Sequence, residues 1–150
     1  MSRKIWIHYG ADAFNPEKMT ENSHRLFANK PNGLWASPTN KNAWTWEKFC
    51  KSEEFHLDRL NKSFRFRVSR KAKILWVHKL EDVKKYTYVE DMGRFKTKRV
   101  DIKTIMNNFD GMALIHGKNY AELHGNLFGA WDVDSICIWN PDMIEEIKEN

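Results

Sequence analysis

The chain has 150 residues, 41% of them hydrophobic, and this size argues for one domain with a buried core and against a second domain. No run of about 18 apolar residues appears, and residues 1–8 lack the apolar segment of a signal peptide, so we expect a soluble, cytoplasmic protein with no membrane partner. The two cysteines lie outside any CxxC or Cys/His spacing, which argues against a disulfide framework and a zinc site.

The net charge of +5 comes from a basic stretch in the middle of the chain. Twelve Lys and Arg residues lie between Arg65 and Arg99. Such a stretch favours a polyanionic partner, either nucleic acid or an acidic protein surface. A solvated polar surface explains the stretch equally well, because the charged residues are distributed along it rather than grouped in one continuous block. The acidic residues 143–150 are placed to cover part of that surface.

Short strands alternate with short helices along the chain, without internal repeats. Strands are predicted where apolar or aromatic residues alternate with polar ones, as at residues 4–9 and 63–68, or where a short apolar run is bounded by turn residues such as Gly and Pro. The predicted strands cover residues 4–9, 34–37, 63–68, 73–78 and 112–115, with a last strand at Asp134.

Helices are predicted at the periphery of this strand-rich core. Thr39 or Asn40 is expected to cap a helix that runs through Trp44 toward Phe55. Further helical segments are predicted over residues 81–85 and 101–108, and a loop over residues 117–129. The sum is an α+β fold, a single domain over residues 1–150 with a mostly β core and short peripheral helices.

Two carboxylates precede the last predicted strand. Asp132 and Asp134 are separated by one residue, so an extended backbone would point both side chains to the same face. The residues 135–139 that follow are apolar enough to lie inside a sheet. Carboxylates in this place are either catalytic groups or structural groups at a strand end, and both interpretations stay open.

Three ordered motifs resemble the NAD-binding core of the ADP-ribosyltransferase superfamily: His8-Tyr9-Gly10, residues 33–37 with the Trp-rich segment after them, and residues 133–138. In the diphtheria-toxin-like and poly(ADP-ribose) polymerase branch, a histidine ends the first core strand, a tyrosine sits in the second, and a glutamate opens a late strand. His8, Trp35 and Asp134 fall at those places. With Trp for Tyr and Asp for Glu, the chain looks closer to small divergent members, including toxin-like, DNA-modifying and phage-encoded enzymes.

The resemblance implies an enzyme that uses NAD as its substrate and transfers ADP-ribose to a protein or nucleic-acid acceptor. Whether such a divergent member transfers ADP-ribose, only hydrolyses NAD or only binds it stays open. Cleavage of the nicotinamide–ribose bond builds positive charge on the ribose, which a fixed carboxylate stabilises. Asp134 is the candidate for that role, with Asp132 as a second acidic group that orients the acceptor. His8 would hold a ribose hydroxyl.

The remaining candidates would bind the nicotinamide group. Backbone groups of Tyr9 and Gly10 would hold its amide, and Ser37 would hydrogen-bond it. Trp35 and either Trp44 or Trp46 would stack on the ring or wall the pocket. Core packing and turn formation are the alternative roles for each of these residues.

A non-catalytic basic module that binds nucleic acid or protein is the alternative function. The enzyme requires His8, Trp35 and Asp134 to converge on one cleft, whereas a binder would expose aromatic residues among the central basic charges. The Phe64-Arg65-Phe66-Arg67 alternation fits a half-buried strand better than a binding surface. No metal is assigned, because the later histidines show no ligand spacing: His24, His56, His78, His116 and His124.

Overall fold

Residues 3–20 and 29–148 are described by a computed structural model of the chain. His24, one of the histidines weighed as a metal ligand, lies outside the described residues. The nine strands of this part of the chain are β1 Trp6–Tyr9, β2 Leu34–Pro38, β3 Ser63–Val68, β4 Ile74–Val77, β5 Thr87–Asp91, β6 Lys96–Val100, β7 Gly111–Leu114, β8 Ser135–Ile138 and β9 Ile144–Ile147.

Seven of these strands form one sheet in the order β4-β7-β8-β2-β1-β3-β9, and β5 pairs with β6 as a separate hairpin. All pairings are antiparallel except β4 with β7. Gly33 is required before β2, because a Cβ at this position would collide with the backbone of Ile138 in β8.

Short helices connect the strands. The α-helices are α1 Trp46–Glu53, α2 Ile102–Asn108 and α3 Tyr120–His124. The 3-10 helices are Pro16–Thr20, Leu57–Asn61, Leu80–Tyr86, Gly117–Asn119 and Pro141–Met143. In the described ranges no helix is long and apolar enough to cross a bilayer.

The sheet carries a hydrophobic cluster on each face. Along β7, Met112 and Leu114 belong to one cluster and Ala113 to the other, because successive side chains of a strand point to opposite faces. The first cluster also contains Ile105 of α2 and Trp131, and the second contains residues of β1, β3 and β8. The fold is therefore α+β, with short helices around a large sheet.

The predicted strands at β1, β2, β3, β4, β7 and β8 are confirmed, as is the helix that Asp101 caps. The helix predicted to begin after Thr39 or Asn40 is wrong at its start, since Thr45 is the N-cap and accepts from the Lys48 amide. Trp44 cannot join this helix, because its backbone N–H and carbonyl both bond to Asp134.

Three strands and one α-helix were not predicted: β5, β6, β9 and α3. The β5–β6 hairpin is largely polar and exposed, and so lacks the apolar alternation of a buried strand. Residues 117–129 contain α3 rather than a simple loop. The acidic C-terminal segment forms β9, which pairs with β3 and places Glu145 opposite Arg67. It therefore covers part of the basic stretch as an edge strand.

Candidate functional site

A cavity of about 220 Å³ lies where β1 and β2 separate. In the described chain, the β1–β2 pairing spans two residue pairs, Trp6–Pro38 and Ile7–Ser37. Farther along, β1 continues its pairing with β3, and β2 continues with β8. Beyond the β1–β2 pairing, β1 is held by β3 and β2 is held by β8, and the cavity opens between these two parts of the sheet.

Strand alternation turns four side chains of β1 and β2 toward the cavity. Ile7 lies opposite Ser37, so Ile7 and Tyr9 share a face with Trp35 and Ser37, and all four line the cavity. Ser37 is buried, and its Oγ accepts from the backbone amide of Trp46 at 3.1 Å. This bond fixes the start of α1 against β2 and brings the Trp46 side chain into the cavity wall.

Tyr9 is held by a hydrogen-bond chain behind the cavity wall. Its hydroxyl donates to Glu47 Oε2 at 2.7 Å, and Glu47 Oε1 accepts from Lys51 Nζ at 2.7 Å. Burial and the hydrogen bond to Glu47 raise the pKa of the Tyr9 phenol, so this group stays protonated. The hydrogen bonds from Lys51 and Tyr9 lower the pKa of Glu47. Tyr9 therefore contributes a fixed aromatic surface rather than an ionisable group.

His8 lies in the gap between the two strands. Its Nδ1 is 2.5 Å from the carbonyl oxygen of Trp35, which only accepts, so Nδ1 carries the proton of this bond. Burial lowers the pKa of His8, although the bond to Trp35 opposes the shift. In the neutral ring, Nε2 is then an acceptor. The ring also packs on Phe64, with centroids 5.2 Å apart.

Asp134 does not line the cavity, and the prediction that it shares a face with Asp132 is wrong. The two residues precede β8 rather than lie within it, so strand alternation does not apply to them. The Asp132 side chain is 42% exposed and lines the cavity, whereas that of Asp134 is 5% exposed. The expected convergence of His8, Trp35 and Asp134 is therefore replaced by that of His8, Trp35 and Asp132.

Asp134 is anchored by partners from two other segments of the chain. Its Oδ1 accepts from the His116 amide at 2.8 Å and lies 3.0 Å from His116 Nδ1, and its Oδ2 accepts from the Trp44 amide at 3.2 Å. Burial acts to raise the pKa of Asp134, but these hydrogen bonds outweigh it and the net pKa is lowered. The carboxylate is therefore ionised, and both of its oxygens are occupied by hydrogen bonds within the protein.

His116 is a buried partner that the sequence did not indicate. Its Nε2 lies 2.9 Å from the Trp131 carbonyl, while Nδ1 faces Asp134. Both oxygens are acceptors, so both bonds form together only when the imidazole carries two protons. No spacing in the sequence links residue 116 to residues 131–134, because the contact depends on how β7 and β8 pair.

Asp132 stands at the cavity with cationic and aromatic neighbours. Its Oδ1 is 3.2 Å from His124 Nε2, and it raises the pKa of Tyr120 together with burial of that phenol, which is the larger cause. Lys30 also lines the cavity, with Nζ 4.8 Å from the ring centroid of Trp35. Burial lowers the pKa of Lys30, and the attraction of Asp132 opposes this shift.

Lys30 and Trp131 are cavity residues that sequence reasoning missed. Lys30 reads as part of a turn cluster, and nothing in that pattern points to a cavity. Trp131 directly precedes Asp132, and this position next to a candidate site residue was the signal in the sequence that could have indicated a cavity residue. Its ring lies edge-on to Trp35 with centroids 4.7 Å apart, and its indole N–H donates to the Asn29 carbonyl at 3.1 Å.

Gly10 and Trp44 are not among the residues that line the cavity, and their contact with nicotinamide stays a prediction. The Gly10 amide donates to the Lys62 carbonyl at 2.8 Å and is therefore used within the protein. The Trp44 indole N–H donates to the Asp132 carbonyl at 2.9 Å. Trp44 thus ties the carboxylate motif to the segment before α1, and between the two tryptophans considered, it is Trp46 that lines the cavity.

The Phe64–Arg67 alternation is that of a half-buried strand, since Phe64 and Phe66 are buried in the core and Arg65 is exposed. Within residues 3–20 and 29–148, no group of three His, Cys, Asp or Glu side chains is arranged to hold a metal ion.

No protein-family model, curated protein or solved structure matches this chain. The resemblance to ADP-ribosyltransferases therefore rests on its short motifs, and the function has to be argued from the geometry of the cavity.

Proposed function

We propose that the chain binds NAD in the cavity between β1 and β2, cleaves the nicotinamide–ribose bond and transfers ADP-ribose to a macromolecular acceptor. The observation that carries this proposal is that six of the nine candidate residues line one cavity and that one of them is a carboxylate. These residues are His8, Tyr9, Trp35, Ser37, Trp46 and Asp132.

The cavity suits a flat ring better than a whole dinucleotide. Tyr9, Trp35 and Trp46 give it aromatic walls, and such walls pack well against a planar ligand. Its volume of about 220 Å³ is below the range of roughly 300–1,000 Å³ that is typical of small-molecule sites. We therefore assign it to the nicotinamide and its ribose, with the rest of the substrate outside.

Lys30 supplies a positive charge at the edge of this site. Its ammonium lies over Trp35 and is drawn toward Asp132. A diphosphate that extends from the cavity would be neutralised by this group, because ammonium groups bind phosphate as point charges. Lys30 would then exchange its contact with Trp35 for one with phosphate, which would leave that indole face to the ring of the substrate.

His8 is prepared to accept a hydrogen bond. Since Nδ1 donates to the Trp35 carbonyl and burial lowers the pKa of the ring, Nε2 is left with its lone pair. A ribose hydroxyl is a donor that fits this acceptor. His8 would thereby orient the sugar with respect to the carboxylate.

Asp132 is the carboxylate that we assign to the reaction, in place of Asp134. When the glycosidic bond breaks, its electron pair goes to the nicotinamide nitrogen and positive charge develops on the ribose. Asp132 stabilises that charge because its carboxyl group faces the cavity, whereas the oxygens of Asp134 are already occupied. The acceptor nucleophile then bonds to the ribose carbon, and its proton passes to Asp132 or to His124 beside it.

The proposal is tested by incubating the protein with NAD labelled in its adenylate half, with and without a cell lysate. Release of nicotinamide and labelling of a macromolecule are expected together. Trp35→Ala, in the cavity wall, should reduce both, whereas Trp76→Ala, at an exposed site outside the cavity, should reduce neither. No release of nicotinamide by the parent protein at millimolar NAD would overturn the proposal and favour the non-catalytic binding module.

A further inference from the structure

The β5–β6 hairpin carries a cluster of exposed apolar side chains away from the cavity. In the part of the chain that the structure describes, eight large hydrophobic side chains are exposed, and half of them belong to this hairpin and its turn. They are Tyr88 (47% exposed), Val89 (58%), Met92 (45%) and Phe95 (63%). Single exposed hydrophobic residues are ordinary, whereas a cluster of them indicates an interaction surface.

The hairpin carries more cations than carboxylates, four against two over residues 87–100. The carboxylates of the hairpin have partners within it, since Glu90 accepts from Arg99 and Asp91 accepts from the Gly93 amide at 2.9 Å. The remaining cations are exposed: Arg94, Lys96 and Lys98. The surface therefore combines uncovered apolar groups with a net positive charge, which suits a polyanion that also has apolar faces.

The strand register interleaves the two kinds of side chain. Val89 lies opposite Lys98, and Tyr88 lies opposite Arg99 on the other face of the ribbon. Lys96 and Lys98 share one face and are about 7 Å apart along the strand, since each residue rises about 3.4 Å. The face of Val89 thus carries the exposed cations Lys96 and Lys98, whereas the cation beside Tyr88, Arg99, is bonded to Glu90.

A groove of about 430 Å³ continues from the base of the hairpin. Thr87, Thr97, Lys84 and Lys98 are among its lining residues, and the Thr87 hydroxyl donates to the Val83 carbonyl at 2.8 Å. Glu81 is the one carboxylate among its described lining residues. Hydroxyl and ammonium groups are the donors that proteins use to contact phosphates and sugars.

We propose that the β5–β6 hairpin binds single-stranded nucleic acid. Tyr88, on one face of the ribbon, and Phe95, at its turn, stack on unpaired bases, while Lys96 and Lys98, on the opposite face from Tyr88, neutralise phosphates where the strand passes around the hairpin. A duplex hides the faces of its bases, so it would use the cations but not the aromatic rings. An acidic protein surface would likewise leave the aromatic rings without a matching contact. Single strands alone satisfy both parts of this surface.

Asn29 links the hairpin to the cavity. Its Oδ1 accepts from the Val100 amide at the end of β6 at 3.0 Å, and its carbonyl accepts from the Trp131 indole in the cavity wall at 3.1 Å. A strand held on the hairpin would therefore be the acceptor that is offered to the cavity. This last step rests on the proposed function, whereas binding by the hairpin does not.

Binding is measured by fluorescence anisotropy with a labelled thymidine oligonucleotide of fifteen residues, without NAD. The parent protein should bind it more tightly than a duplex of equal length. The double variant Tyr88→Ala/Phe95→Ala should weaken binding by about tenfold or more, because two stacking surfaces are lost. The control Phe55→Ala/Leu57→Ala removes exposed apolar side chains elsewhere and should leave the affinity unchanged.

A double variant in which two lysines are replaced by glutamate tests the phosphate contacts independently of the aromatic rings. Lys96→Glu/Lys98→Glu should weaken binding and reduce the slope of log affinity against log salt by about 1.4, since each phosphate contact on a single strand contributes about 0.7. Lys62→Glu/Lys71→Glu changes the net charge equally at exposed positions outside the hairpin and should keep the parent slope.

Three results would overturn the proposal: duplex binding as tight as single-strand binding, equal losses in the hairpin and control variants, or binding to vesicles with anionic lipids but not to the oligonucleotide. Thermal unfolding of each variant verifies that it is folded. Nicotinamide release without oligonucleotide tests the proposed reaction separately, so a failure of one claim is not mistaken for a failure of the other.

Discussion

Asp132 and Asp134 are separated by one residue, yet they occupy opposite environments. Asp134 is buried, and its two oxygens bond to backbone and side-chain groups of His116 and Trp44. Asp132 is half-exposed, lines the cavity and has His124 beside it. Asp134 joins segments of the fold, whereas Asp132 remains accessible to a ligand.

The difference shows that a carboxylate motif does not reveal which of its members is available for chemistry. Asp134 has the lowered pKa and the most hydrogen bonds, which are properties often found in active sites. Here every bond that lowers its pKa comes from the protein itself. Availability of the oxygens, rather than perturbation of a pKa, is therefore the ground on which we propose Asp132 for the reaction.

The largest expected effect on stability is that of Asp134→Ala. It leaves the buried amides of His116 and Trp44 without an acceptor, and we expect a loss of about 3 kcal/mol in the free energy of unfolding. Asp132→Ala should change that free energy by less than about 1 kcal/mol, because its side chain is half-exposed. Urea denaturation of the two variants measures the difference, and equal losses would contradict the separation of roles.

Acid should diminish the stabilising contribution of Asp134. Because the folded-state pKa lies below the ordinary value of 3.8, this contribution is present above that pH and is lost as the pH falls through the folded-state pKa. Asp134→Asn should thus differ most from the parent at neutral pH and approach it in acid. Urea denaturation across this range checks the trend, and a constant difference would show that the ionised form is not what stabilises the fold.

Loss of the His8 acceptor should weaken NAD binding. His8→Asn keeps a donor for the Trp35 carbonyl but removes Nε2, and loss of one hydrogen bond should weaken affinity by about tenfold. Titration of tryptophan fluorescence with NAD provides the measurement. In the parent, affinity should also fall in acid below pH 6.5, as the ring becomes protonated at its lowered pKa. Unchanged affinity in the variant would remove His8 from the site.

The smallest expected effect is a difference in fluorescence quenching between variants of the two neighbouring tryptophans, Trp44 and Trp46. Trp46 lines the cavity and Trp44 does not, so Trp46→Phe should reduce the fluorescence quenching caused by NAD and Trp44→Phe should not. Quenching lost only in Trp44→Phe would place the ligand on the other side of the segment before α1.

Much of the sheet could be predicted from the sequence, because β1 and β3 alternate, β2 is bounded by a turn cluster and a proline, and β7 and β8 are apolar. The hairpin was missed since its polar strands face solvent, and β9 was missed since it pairs as an edge strand. In the site, the cavity positions of His8 and Trp35 followed from motif order. The anchoring of Asp134 could not be predicted, because His116 and Trp44 meet it only through long-range pairing.

The most direct test of the central claim is NAD turnover by Asp132→Asn and Asp134→Asn, each expressed per mole of folded protein. The proposal predicts that Asp132→Asn lowers kcat by about 10²-fold to 10³-fold with little change in the free energy of unfolding. It predicts that Asp134→Asn loses stability, while the molecules that remain folded keep most of their turnover. Turnover that survives in Asp132→Asn and is lost in folded Asp134→Asn would contradict it.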